Sequence, residues 1–150
     1  EILIVGAGGA TRGVLAPLLA RSPRRIVVAN RTEDKARELA RRFASRGAIE
    51  GVALASIPAA RYSIVINATS ASTRGEPLAL PARVLEGALA YDMAYGANAA
   101  AFLSGARAAG AARMSDGLGM LVEQAAESFA LWRGKRPPTS TVLAELRAAR

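Results

Sequence analysis

Residues 2–13 read Ile2-Leu3-Ile4-Val5-Gly6-Ala7-Gly8-Gly9-Ala10-Thr11-Arg12-Gly13. The first four form a short continuous apolar run that ends on glycine, the pattern of a strand buried on both faces. A helix is expected over about residues 10–20, so the glycines occupy a strand-to-helix turn. Glycine there lets the backbone turn sharply and lets a pyrophosphate approach bare N–H groups at a helix N-terminus, where the helix dipole favours an anion. The match to the G-x-G-x-x-G pattern is imperfect, because Thr11 stands where the third glycine is usual. A glycine turn without a ligand is the competing interpretation; the strand, turn and helix context favours a pyrophosphate site at Gly6, Ala7, Gly8, Gly9 and Ala10.

Outward from this turn, Ile26-Val27-Val28-Ala29 is a second buried strand. Thr32 can cap a helix that carries Glu33 and Asp34 in its first turn and stops at Gly47. Further strands are expected at residues 50–53, 63–67, 88–93 and, with weaker patterning, 112–115. Helices are expected at 99–109, closed by Gly110, at 118–133, closed by Gly134, and at 141–149. Strand and helix alternating at this spacing predict an α/β fold: a doubly wound, Rossmann-type parallel sheet with helices on both faces and further helices at the C-terminus. There is no internal repeat, and the one linker-like stretch is 134–138.

With 150 residues, 51% of them hydrophobic, the chain has the length of one domain and the means to bury a sizeable core. It has neither cysteine nor histidine, which removes disulfides, thiolate nucleophiles, histidine triads and the usual zinc sites, so no metal site is expected. No apolar run approaches the roughly 18 to 20 residues that span a bilayer, and no signal-sequence pattern opens the chain. A soluble cytoplasmic protein without a membrane partner is expected.

The net charge is +8, and residues 21–46 carry most of it, with nine basic residues against three acidic ones. Phe43 is the only aromatic in that window, and it falls on an apolar helical stripe with Ala36, Leu39 and Ala40. Without interleaved rings to stack bases, no nucleic-acid partner is expected. A solvated helix face, with Glu38 and Arg42 paired, accounts for most of these charges.

Arg31 and Lys35 stand apart by position. The second strand ends in Asn30-Arg31-Thr32, roughly 20 residues past the glycines, where a dinucleotide enzyme that uses NAD places an acid against the ribose hydroxyls. A neutral Asn30 followed by Arg31, Thr32 and Lys35 suits a 2′-phosphate instead, through charge-assisted bonds. NADP is therefore preferred to NAD, the alternative being that Arg31 and Lys35 are merely exposed. Asn67-Ala68-Thr69-Ser70 leaves a buried strand at the sheet's carboxyl edge, as does Tyr91-Asp92-Met93-Ala94-Tyr95. Asn67 is either a cofactor contact or a turn cap, and Tyr91 is expected to be structural. The run Ser115 to Gln124 opens a helix whose apolar stripe of Leu118, Leu121, Val122, Ala125, Phe129 and Trp132 belongs to a core or a domain contact. Gly117 at its start can admit a nicotinamide ring, and Gln124, two turns on, can hydrogen-bond a sugar-like hydroxyl.

Taken together these motifs resemble the shikimate dehydrogenase family over nearly the whole chain. The carrying segments are the glycine turn, Asn30-Arg31-Thr32, Asn67 to Ser70, Tyr91 to Tyr95 and Asp116-Gly117-Leu118-Gly119-Met120-Leu121-Val122. The glycine turn and the Asn-Arg-Thr tripeptide occur in other NADP enzymes, glutamyl-tRNA reductases among them; the Asp-Gly-Leu-Gly-Met run is far more specific. The resemblance implies an NADP-dependent oxidoreductase of aromatic amino-acid biosynthesis, the shikimate pathway, exchanging a hydride between NADPH and 3-dehydroshikimate to give shikimate. It places the pyrophosphate at Gly6 to Ala10 and the adenosine end at Asn30 to Lys35. Asn67, Ala68, Thr69 and Ser70 join the cofactor contacts, Met93 and Gly117 lie beside the nicotinamide, and Tyr95 and Gln124 touch the substrate.

In the family a preceding domain supplies a catalytic Lys–Asp pair, and Lys35 and Lys135 do not replace it, so no catalytic residue is assigned here. A fragment of a longer enzyme is expected: residues 1–116 holding the sheet and its crossover helices, and 117–150 forming helices that pack back on the missing domain. The exposed part of the Leu118 to Trp132 stripe would then favour self-association or a displaced tail. Two alternatives are a quinate/shikimate dehydrogenase that uses NAD and a non-catalytic NADP-binding module.

Overall fold

The computed structural model describes residues 1–74 and 76–149. Its strands are β1 (Ile2–Val5), β2 (Ile26–Asn30), β3 (Ile49–Ala53), β4 (Ile64–Asn67), β5 (Leu89–Asp92) and β6 (Arg113–Ser115). Its helices are α1 (Gly9–Leu19), α2 (Glu33–Phe43), the short α3 (Ala82–Leu85), α4 (Ala97–Ala108), α5 (Leu118–Arg133) and α6 (Thr139–Ala148). The strands form one sheet in the order β3-β2-β1-β4-β5-β6, and every pairing is parallel. This is the doubly wound sheet that the sequence predicts.

Alternation along the strands divides the interior into two cores. Leu3, Val5, Val27, Ala29, Val65 and Ala90 point to one face, where Val84 and Leu85 of α3 and Phe102 and Ala106 of α4 cover them. Ile2, Ile4, Ile26, Val28 and Ile66 point to the other, under Leu15 and Leu19 of α1 and Ala36 and Leu39 of α2. Burial on both faces is why these strands read as unbroken apolar runs. The chain winds from β1 through β2 to β3 on one side, then returns to β4 on the far side of β1. The order of winding reverses there, and the carboxyl ends of β1 and β4 lie side by side, Val5 opposite Asn67.

Two differences from the expected elements have local causes. The helix after Thr32 ends at Phe43 rather than running to the glycine; a 3-10 turn, Ala44–Arg46, tightens its end before Gly47. Helix α3 was not expected, and four residues give no helical period to detect. Glu38 and Arg42 pair as anticipated. At the opposite, amino edge of the sheet Arg25 bridges Glu1 at 2.7 Å and Glu50 at 3.0 Å, and hydrogen bonding to Arg25 holds the Glu1 carboxyl below its ordinary range.

The apolar stripe of α5 is split. Leu118 and Val122 are buried, whereas Leu121, Ala125, Phe129 and Trp132 are exposed, Trp132 to 77%. Helix α6 lies back along α5, and between them runs an apolar groove lined by Leu121, Phe129, Pro138, Val142 and Leu146. No helix among the described residues is long and apolar enough to cross a membrane.

Candidate functional site

Where the order of winding reverses, an open crevice of about 500 Å3 runs along the carboxyl ends of β1, β2 and β4. Open α/β sheets bind ligands at such a point. Gly6, Ala7, Gly8, Gly9 and Ala10 line it together. Gly6 has φ +109°, and a Cβ on it would stand 2.7 Å from the Ala68 carbonyl oxygen, so only glycine passes between β1 and the segment after β4. No side chain caps α1 at Gly8, which leaves the first N–H groups of that helix for a ligand. Thr11, the departure from the glycine pattern, is fully buried, and its hydroxyl donates to the Gly6 carbonyl at 2.7 Å. The substitution therefore pins the turn from beneath.

Asn30, Arg31, Thr32 and Lys35 form the wall at the end of β2. The Asn30 amide donates to the Thr32 carbonyl at 2.9 Å, and Thr32 occupies the N-cap position of α2 without a side-chain cap bond. Arg31 and Lys35 are exposed, and neither enters an ion pair among the described residues. Their charges are thus available to an anion.

The third wall holds Ala68, Thr69 and Ser70, and with them Ala71, Arg74, Glu76 and Leu78, which sequence reasoning missed. Arg74 grips Glu76 with two bonds, of 2.7 and 2.8 Å, and donates to the Ser70 hydroxyl at 2.8 Å. Hydrogen bonding to Arg74 holds the Glu76 carboxyl below its usual range, and the positive charge of Arg31 adds to that shift. Cations from two loops and one carboxylate therefore share this end of the crevice.

The remaining expected site residues lie outside the crevice lining. Asn67 is buried, and its side-chain oxygen accepts from the Thr69 N–H at 3.1 Å and the Thr69 hydroxyl at 2.8 Å, so the turn-capping alternative describes what it does. Met93 and Gly117 sit together further along the carboxyl edge: a Cβ on Gly117 would stand 2.2 Å from the Met93 carbonyl oxygen, and the Gly117 N–H donates to the Ala94 carbonyl at 2.8 Å. Tyr95, 45% exposed, and Gln124, exposed on α5, are not brought into the crevice. Tyr91 packs against the core under α1 and α2, and burial pushes its phenol up.

A family model described as shikimate / quinate 5-dehydrogenase matches residues 1–77. The chain belongs to the shikimate/quinate 5-dehydrogenase family. A second model, the shikimate 5'-dehydrogenase C-terminal domain, matches residues 117–147, which contain α5 and most of α6. Among relatives of this family, a shikimate dehydrogenase (NADP(+)) from Dechloromonas aromatica is 55% identical over 149 residues, covering 99% of this chain and 54% of its own. The crystal structure of an Ael1 enzyme from Pseudomonas putida superposes with a TM-score of 0.87 at 47% identity, covering 97% of this chain and 54% of that one. A quinate dehydrogenase from Corynebacterium glutamicum, in complex with NAD, superposes with a TM-score of 0.81 at 27% identity, covering 98% of this chain and 54% of that one. The chain spans about half the length of the curated relatives it matches.

Proposed function

We propose that this chain is the NADP-binding domain of a shikimate dehydrogenase. The observation that carries the reading is the placing of Arg31 and Lys35 on the same crevice as the glycine turn, with Asn30 where an NAD enzyme presents an acid. On this reading Gly6 to Ala10 hold the pyrophosphate, Arg31, Thr32 and Lys35 the 2′-phosphate, and Ala68 to Ser70 the opposite flank. Met93 and Gly117 border the nicotinamide, while Tyr95 and Gln124 reach the substrate. The cofactor supplies the hydride; the chain's own residues bind it, orient it and exclude water from one side.

For the whole protein the reading is reversible reduction of 3-dehydroshikimate to shikimate, in the cytoplasm. The exposed side of α5 is then the face for a preceding catalytic domain, or for a second copy when that domain is lacking. The name of the Dechloromonas aromatica relative supports both substrate and cofactor.

The test is cofactor titration of the chain and of Arg31→Ala. NADP binding should weaken by about 1 to 3 kcal/mol, the scale of one charged hydrogen-bonding partner, with NAD little changed. Equal losses for both cofactors would show Arg31 misassigned, and a native preference for NAD would turn the reading toward an NAD-linked quinate dehydrogenase. Assay of the full-length enzyme with shikimate and NADP then tests the activity.

A further inference from the structure

We propose that Asp92, with Asn67 and Ser72, positions the nicotinamide end of the cofactor site, through a buried hydrogen-bond chain that locks the Met93–Gly117 edge to the Thr69 loop. The inference rests on the NADP reading above.

Parallel pairing puts Asn67, at the end of β4, directly beside Asp92, at the end of β5. Both are almost wholly buried, and Ser72 is buried with them. The Ser72 hydroxyl donates to one Asp92 carboxylate oxygen at 2.6 Å, and the Asn67 amide donates to the same oxygen at 3.0 Å and to the Ser72 hydroxyl at 2.7 Å. The other carboxylate oxygen accepts the Ala94 N–H at 2.8 Å. Among the described residues every hydrogen bond to Asp92 comes from a donor, which suits a carboxylate and no neutral residue of its shape.

The chain of bonds runs further in both directions. On one side the Asn67 oxygen holds the N–H and hydroxyl of Thr69, a residue of the crevice wall. On the other, Ala94 accepts the Gly117 N–H, and Gly117 lies against Met93. Asp116 braces the same edge from the far side, accepting the Gly96 N–H at 3.0 Å and the Leu118 N–H at 3.2 Å. A buried carboxylate is costly to desolvate, and the packing of the two cores does not require one at the end of β5. What its bonds do fix is the separation between the two halves of the cofactor site.

The assignment makes Asn67, Ser72 and Asp92 positioning residues, felt by the nicotinamide half of the ligand and not by the adenosine half. The test titrates the chain with NADPH and with 2′,5′-ADP, which carries the adenosine and 2′-phosphate alone. Asp92→Asn should weaken NADPH by about tenfold and leave 2′,5′-ADP within roughly twofold, since the variant turns one acceptor into a donor among donors. The exchange Asn67→Asp with Asp92→Asn restores a donor facing an acceptor across the two strands and should recover most of the NADPH affinity. Ser72→Ala, a smaller change, should give a loss of about threefold that is again confined to NADPH, and it keeps the test available if Asp92→Asn does not fold. Equal loss of both ligands, no loss of either, or failure of the exchange to recover binding would overturn the positioning role. A native chain that binds neither ligand would instead overturn the site reading, and this inference with it.

Discussion

Gly117 lies against the backbone of Met93 so closely that a Cβ on it would stand 2.2 Å from the Met93 carbonyl oxygen. The obstacle is main chain, not a flexible side chain, so a larger residue must push β5's exit loop and the start of α5 apart. Gly117→Ala is expected to lower unfolding stability by about 1 to 3 kcal/mol, the usual cost of overpacking, and to weaken NADPH more than 2′,5′-ADP. Urea unfolding and the two titrations check it; unchanged stability would mean that the two segments separate freely.

Thr11 gives a test of the glycine turn that leaves its glycines in place. Thr11→Val keeps the volume and removes the hydroxyl that donates to Gly6. An expected loss of about 1 to 2 kcal/mol follows from an unmet buried carbonyl, visible as a lower urea midpoint with an unchanged slope. Cofactor affinity should fall as well, because the same bond sets the direction of the turn.

The Arg74–Glu76 pair predicts an effect of opposite sign. Glu76→Gln removes a negative charge from the rim beside Arg31 and releases Arg74. Affinity for 2′,5′-ADP should rise modestly, as expected for an exposed ion pair, and the gain should shrink as salt is added. A gain that persisted in high salt would point away from charge as its origin.

Asp92 gives the pH dependence. Burial pushes its carboxyl above the ordinary range, bonds from Ser72, the Ala94 N–H and Asn67 pull it back in part, and the charge of Asp116 adds to the rise. A raised folded value means that the folded chain holds the proton longer than the unfolded chain. Stability contributed by this group therefore falls as pH climbs from the unfolded value through the folded one, and stays lower above it. Glu1, held low by Arg25, acts with the opposite slope and below the ordinary range, so the two windows separate. Asp92→Asn should flatten the segment above the ordinary aspartate range in a series of urea midpoints; an unaltered segment would show that Asp92 does not titrate there.

The centre of the sheet was legible because its strands carry their own signal, whereas β6, with Arg113 and Ser115 among its three residues, is weakly patterned. Ile2 and Ile4 face one core, Leu3 and Val5 the other, and a strand covered on both sides has no polar positions to blur it. The glycine turn and the Asn30 to Lys35 wall were legible for a related reason: each is a short local segment whose place follows once strand and helix alternate. Arg74 and Glu76 were not, since the first ends a 3-10 turn, the second lies in irregular chain beyond it, and both reach the crevice only through the tertiary fold. Asn67 shows the limit most clearly. Its turn-capping geometry is local, but its burial is decided by Asp92, which stands 25 residues on and becomes its neighbour only when β4 and β5 pair.

Strand β1 has one further consequence. It is the seam between the halves of the sheet, with Leu3 paired to Val27 on one side and to Val65 on the other. Neither half alone possesses the crevice, so a dinucleotide bound there rewards only the completely joined chain and acts as a fastener laid across the seam. At a hundredfold excess over its dissociation constant such a ligand adds about 2.7 kcal/mol against any opening that parts β1 from β4. On the NADP reading, resistance of that junction to proteolysis should then track cofactor supply, coupling the lifetime of the molecule to its ligand.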